Sequence, residues 1–180
     1  MGTDTLTRFA AIDIGSNAVR LLLCNVVEED GIIHFNKSEF IRMPIRLGED
    51  VFRSGLVSEQ KADRLINTLK AYKLLVDVFQ PVAFRACATA SLREAKNGQK
   101  LVERIRRATS LSVDLVSGKE EAELIYANHV EEKLDKQSDF AYIDVGGGST
   151  EISFFSKGVC KASRSFPIGT LRLLYEIGRA

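Results

Sequence analysis

Apolar residues gather over Phe9–Gly15 and Val19–Val27, two β-favouring runs joined by Ser-Asn-Ala, which is the pattern of a hairpin. Residues Ile32 to Ile45 alternate imperfectly and predict a third strand, which leads into the turn-rich RLGEDVFRSGL. From Ser58 the period changes. Ala62, Leu65, Ile66, Leu69, Tyr72, Val76 and Phe79 fall on one face of a long helix, with Ser58 as N-cap and Pro81 closing it. Val82–Cys87 predicts a strand, Ser91–Thr109 a helical stretch broken at Asn97-Gly98, and Leu111–Val116 another strand. Ser117 then opens a helix expected to reach about Leu134.

The polar EEKLDKQSD separates this series from a second one. Strands are predicted over Phe140–Val145, Glu151–Ser156 and Val159–Ser165, with a helix from near Ile168. The order is βββα-βα-βα and then βββα, an α/β pattern that starts again. Ile12–Leu23 (IDIGSNAVRLLL) aligns with Ile143–Phe154 (IDVGGGSTEISF), and a repeated supersecondary unit is the sequence sign of duplication. The expected organisation is a first lobe over residues 1–134 and an incomplete start of a second over 135–180, in a chain that is a fragment of a longer protein.

Three consecutive glycines between two apolar runs weaken a strand, so Gly146–Gly148 calls for another reason. A Walker loop needs Gly-Lys-Ser/Thr before a helix, and the dinucleotide fingerprint also needs a following helix; here a strand follows. What remains is a glycine hairpin whose free amides accept an anion, with Ser149 and Thr150 adding hydroxyls. Asp13 and Asp144 each end an apolar strand just before such a turn. Carboxylates beside an anion repel it unless a cation intervenes, which points to a hydrated Mg²⁺. The competing reading is that each Asp stabilises its own turn.

Composition narrows the classes. Twenty-five basic against 24 acidic residues give a net charge of +1, which offers no global attraction to nucleic acid or an anionic membrane. Cys24, Cys87 and Cys160 are far apart, fitting free thiols in a reducing compartment, and no apolar run approaches a membrane span, so the cytoplasm is the expected location. His34 and His129 have no partner at metal-ligand spacing. Arg104, Arg106 and Arg107 suggest a solvated helix face, with a polyphosphate track as the alternative.

AAIDIGSNAVRLLL, ATASLREAKNG, VSGKEEAELIY and YIDVGGGSTEIS stand in the order seen in the exopolyphosphatase / guanosine pentaphosphate phosphohydrolase family. That family belongs to the actin, sugar-kinase and heat-shock-chaperone ATPase superfamily, and the resemblance runs from about Arg8 to Leu173. It implies two ribonuclease-H-like lobes around a cleft and Mg²⁺-dependent release of terminal phosphate from inorganic polyphosphate. The alternatives are guanosine pentaphosphate as substrate, phosphotransfer to an acceptor, or a phosphate- or nucleotide-binding module without catalysis. A homodimer is one option for its assembly. The 180-residue chain alone is expected to turn over weakly or not at all.

Two acids compete for the role of base. Ser117 and Glu120 fit a capping box, which gives Glu120 a structural task, whereas Glu121 at the helix start is free to face a cleft. The resemblance places the catalytic glutamate at Glu121 and a phosphate-contacting arginine at Arg93. It makes Gly15, Ser16 and Asn17 one phosphate loop and Gly146, Gly147, Gly148, Ser149 and Thr150 the other. Asp13 and Asp144 are the metal candidates; Glu151 matches a family acid that either helps hold metal or pairs with a neighbouring strand. Arg20 is left open between hairpin surface and cleft. Ala18 departs from the family's second serine and removes one hydroxyl.

Overall fold

The computed structural model describes residues 6–29, 31–127, 138–157 and 159–177. Their elements run β1 (Thr7–Ile14), β2 (Val19–Glu29), β3 (Ile32–Met43), α1 (Leu47–Ser54), α2 (Glu59–Phe79), β4 (Ala83–Ala88), α3 (Ala90–Glu94), α4 (Gly98–Thr109), β5 (Asp114–Leu115), α5 (Gly118–Ala127), β6 (Phe140–Val145), β7 (Thr150–Ser156), β8 (Val159–Phe166) and α6 (Thr170–Ile177). The first sheet has the order β3-β2-β1-β4-β5, with β1, β2 and β3 antiparallel and β4 and β5 added in parallel beyond β1. This is one complete ribonuclease-H-like lobe. The second sheet, β6-β7-β8, repeats only the antiparallel opening of the first.

Strand alternation decides which face is core. Ile12, Ile14, Val19, Leu21 and Leu23 are buried on one face of the first sheet, packed with Leu65, Leu69, Tyr72 and Val76 of α2. The Tyr72 hydroxyl lies 3.2 Å from the carbonyl oxygens of both Val19 and Ile41, fixing α2 across β2 and β3. Ser58 caps α2 as the sequence predicts, accepting a hydrogen bond from the Lys61 N–H. Arg104 of α4 pairs with Glu59 (2.6 Å) and Asp63 of α2. It therefore ties two helices together on a solvated face, where Arg106 and Arg107 are also exposed.

Two expectations need correction. RLGEDVFRSGL holds a helix, α1, entered through Arg46 in the left-handed region (φ 58) and left through Gly55 (φ 77). Its glycines and acids look like turn residues, but Leu47 and Val51, four apart, are buried, and Glu49 and Asp50 suit a first helical turn. The strand expected over Leu111–Val116 pairs with β4 only at Asp114–Leu115. Leu111 and Val113 are apolar because they are buried, without a ladder, and buried Val116 adds only one N–H bond to the Ala88 carbonyl (3.1 Å). The expected lobe boundary at 134/135, the helix end near Leu134 and His129 lie outside the described residues. His34 sits exposed on β3.

The two hairpins superpose in register as well as in sequence. Asp13 faces Arg20 across β1 and β2; Asp144 faces Glu151 across β6 and β7. The faces differ in what covers them. Ile143, Val145, Ile152 and Phe154, counterparts of buried Ile12, Ile14, Leu21 and Leu23, are exposed, while the opposite face of the second sheet, with Glu151, Ser153 and Phe155, is buried. α5 packs on β7 and β8, and any Cβ on Gly118 would sit 2.6 Å from the Ser165 Cβ. Helix α5 thus begins in direct contact with the second sheet.

Candidate active site

Each hairpin closes with the same bond: Gly15 N–H to Ala18 O (3.0 Å) and Gly146 N–H to Ser149 O (2.9 Å). Behind each turn stands the helical segment that follows its third strand. Arg46 and Gly48 N–H groups at the start of α1 donate to the Asn17 and Ser16 carbonyls (2.9 and 2.8 Å). At the start of α6, Thr170 N–H donates to Gly146 O (3.0 Å), and Leu171 and Arg172 N–H to Gly147 O (2.9 and 3.1 Å). In a trans peptide the carbonyl and the next N–H point opposite ways, so carbonyls held from behind turn the amides of the loop outward. Among the described residues, the N–H groups of Ser16, Asn17, Gly147, Gly148 and Ser149 donate to no backbone carbonyl outside the sheet ladders. The duplication therefore yields two turns with amides left over from backbone pairing, the feature an anion-accepting turn requires.

The glycines of the second turn serve close approach, not an unusual backbone angle: among described glycines only Gly31 and Gly55 have positive φ. A Cβ on Gly148 would fall 2.6 Å from Phe52 Cζ, 2.8 Å from Ser16 Oγ and 2.9 Å from Ala90 Cβ. One on Gly169 would fall 2.5 Å from the Gly147 carbonyl carbon. What passes so close to this backbone is the first turn and the start of α6. Side chains are absent there because the two turns pack against each other.

Glu121 sits beside this junction at the start of α5. Its Oε2 is buried with no hydrogen-bond partner, 3.5 Å from Nη1 of Arg93, an ion-pair distance but not a hydrogen bond. Burial, followed by the negative charge of Glu151, pushes the Glu121 carboxyl up to about 7; Arg93 pulls the other way, and Asp13 adds a smaller upward push. A largely buried carboxyl that titrates near neutrality is suited to accept a proton from water. Arg93, at the end of short α3, donates through Nη1 to the Val116 carbonyl (2.6 Å), which orients its guanidinium along the edge of a cleft of about 480 Å³. Ser149, Gly118 and Lys119 line the same cleft.

The structure distributes the other sequence candidates unevenly. Ser16 and Ser149 are buried at the contact between the turns, with Gly15 and Asn17 half-buried beside them. Thr150 lies on the strand face opposite Glu151, and its hydroxyl donates to the Ile168 carbonyl (2.5 Å), so that hydrogen is committed within the protein. Glu120 makes half of the expected box: its N–H donates to Ser117 Oγ (3.1 Å), but its carboxylate takes Arg85 (2.8 Å). Arg20, left open by the sequence, pairs with Asp13 at 2.6 Å. Glu151, only 3 % exposed, accepts from Ser165 of β8 (2.7 Å).

Asp13, Asp144 and Glu151 do not gather into a three-ligand cage; no such group of His, Cys, Asp or Glu forms among the described residues. Mg²⁺ usually takes only one or two carboxylates and completes its shell with water and substrate phosphate. The facing pair Asp144 and Glu151 are hard oxygen donors of that kind, so the donor chemistry suits this ion. No described helix is long and apolar enough to cross a membrane. One participant has no signal in the sequence. Arg172 of α6 reaches the turn, Glu94 of α3 and the Phe52 ring at once, contacts that only folding brings together.

Comparison with known proteins identifies the family and the fold. The model of the Ppx/GppA phosphatase family matches residues 31–177. A bifunctional 3-dehydroquinate synthase/phosphatase of Fusobacterium nucleatum is 27% identical over 168 residues, 91% of this chain and 25% of that one. Exopolyphosphatase 1 of Mycobacterium tuberculosis is 27% identical over 169 residues, 94% of this chain and 48% of its own length. Among solved structures, the Aquifex aeolicus Ppx/GppA family member superposes with a TM-score of 0.78 at 32% identity, covering 94% of this chain and 54% of that one. An exopolyphosphatase from Cytophaga hutchinsonii gives 0.83 at 28%, covering 94% and 53%. The chain thus spans from a quarter to about half the length of these relatives.

Proposed function

Because the chain belongs to the Ppx/GppA phosphatase family, we propose that it carries the phosphate-gripping core of a hydrolase that removes terminal phosphate from inorganic polyphosphate. The observation that carries this reading is the Glu121 carboxylate: buried, without a hydrogen bond on Oε2, raised to about 7, and 3.5 Å from Arg93. Two relatives that cover nearly the whole chain are exopolyphosphatases, which favours polyphosphate over guanosine pentaphosphate as the substrate.

In this reading the amides of Ser16, Asn17, Gly147, Gly148 and Ser149, free of backbone partners outside the ladders, bind the oxygens of the terminal phosphate. Little covalent work falls to the protein in phosphoryl transfer; positioning and charge stabilisation dominate. Glu121 accepts a proton from water as its oxygen attacks phosphorus. The anhydride P–O bond breaks, the shortened chain leaves as an anion, and Glu121 then gives up its proton to solvent. Arg93 supplies positive charge where negative charge accumulates. Mg²⁺, held through one or two of Asp13, Asp144 and Glu151, would neutralise phosphate oxygens beside these carboxylates.

The test is phosphate release from long-chain polyphosphate and from guanosine pentaphosphate, side by side, with the complete protein and with this chain. Release from polyphosphate without any acceptor is the expected result. Release only from guanosine pentaphosphate would reassign the substrate. Phosphate appearing only on an added acceptor would make the enzyme a transferase, and binding without turnover in the complete protein would leave a phosphate-binding module.

A further inference from the structure

Arg172 makes three contacts that no other described side chain combines. Its Nε donates to the Gly148 carbonyl (2.9 Å), its Nη2 pairs with Glu94 Oε2 (2.6 Å), and its guanidinium carbon lies 4.4 Å from the centre of the Phe52 ring. The side chain is 13% exposed. Of the three carbonyls in the glycine turn, Gly146 and Gly147 are held by backbone N–H groups of α6, while the described contact to Gly148 comes from the Arg172 side chain. The peptide that follows Gly148 ends in the N–H of Ser149, the residue of this turn that lines the cleft.

We propose that Arg172 is a positioning residue for phosphate binding. By holding the Gly148 carbonyl, it turns the Ser149 amide outward, and it takes its own orientation from Glu94, the neighbour of Arg93. Peptide planarity links the carbonyl it grips to the amide it directs. The fixed fork of a guanidinium meets two acceptors in one plane, which a single ammonium does not reproduce. One residue of α6 thereby sets the second turn relative to the helix that carries Arg93. This inference rests on the proposed phosphate binding by the two turns.

The test is a backbone-amide NMR titration of the 180-residue chain with tripolyphosphate. In the wild type, the amide signals of Ser16, Asn17, Gly147, Gly148 and Ser149 are expected to shift. In Arg172→Met the Ser149 shift is lost while Ser16 and Asn17 still respond, and affinity falls about tenfold, the scale of one charge-assisted hydrogen bond. A loss of general packing would instead move both turns together. A Ser149 response equal to wild type in Arg172→Met overturns the proposal. If that variant does not fold, Arg172→Lys decides: a reduced Ser149 shift supports it and a full one overturns it. Silence of every amide in both turns of the wild type defeats the phosphate-binding reading itself, and this inference with it.

Discussion

Glu121 Oε2 stands 3.5 Å from Arg93 Nη1, and that same nitrogen donates to the Val116 carbonyl at 2.6 Å. The arginine is therefore anchored to main chain and only leans on the acid. It moderates the carboxylate without holding it fully ionised, and burial with Glu151 keeps the carboxyl near 7. A full, exposed ion pair would make Glu121 a permanent anion and a weak base.

Glu121→Gln in the complete protein is expected to lower turnover by about 10²–10⁴-fold, the range for loss of a general base, while substrate binding stays measurable. Phosphate release and equilibrium binding check this together. Unchanged turnover would remove Glu121 from the chemistry.

The same residue links pH to activity and stability in opposite directions. As a base it works when ionised, so kcat/KM is expected to rise through pH about 7. Its folded pKa lies above its ordinary value of 4.5, so the folded state holds the extra proton. The stability it contributes is full below about pH 4.5 and is lost as pH rises through about 7, by an amount on the order of 3 kcal/mol before solvent screening and less with it. Glu121→Gln should therefore melt above the wild type at pH 8 and level with it at pH 4.5. Thermal melts at the two values test the sign.

Arg93→Met removes a positive charge that lowers the Glu121 pKa. The pH midpoint of kcat/KM is expected to move upward, with the plateau rate also reduced by lost phosphate contact. A midpoint that stays in place would show that Arg93 does not act on Glu121.

Glu151→Gln should do the reverse. A glutamine still accepts the Ser165 hydroxyl but removes the charge that is the second-largest upward push on Glu121. Carboxyl-carbon NMR titration of Glu121, without metal, is expected to give a midpoint below about 7.

Gly169→Ala brings a Cβ to 2.5 Å from the Gly147 carbonyl carbon, an encounter with backbone that no rotamer relieves. A loss of about 1–3 kcal/mol, the usual scale of overpacking, is expected together with weakened tripolyphosphate binding. Denaturant unfolding and calorimetry read the two effects. A neutral substitution would mean that α6 and the turn move apart easily.

Much of this fold is legible in sequence because hydrophobic period is a local property. The seven apolar positions from Ala62 to Phe79 predict α2, and the paired Ile-Asp-(Ile/Val)-Gly segments predict two matching hairpins, found as β1-β2 and β6-β7. Helix α1 is not legible, since its one glycine, its C-cap Gly55 and its two acids suit a turn equally well until Leu47 and Val51 find a core. The sequence alone determined the order of elements, the duplication and the residue types at both turns. Tertiary structure decided their use. Arg172 reaches Glu94 across 78 positions, and Glu121 takes its proton affinity from burial first, then from Glu151 and, in the opposite sense, Arg93, which belong to other elements. Burial, electrostatics and steric contact depend on distance in space, and the spacing of residues along a chain does not encode that distance.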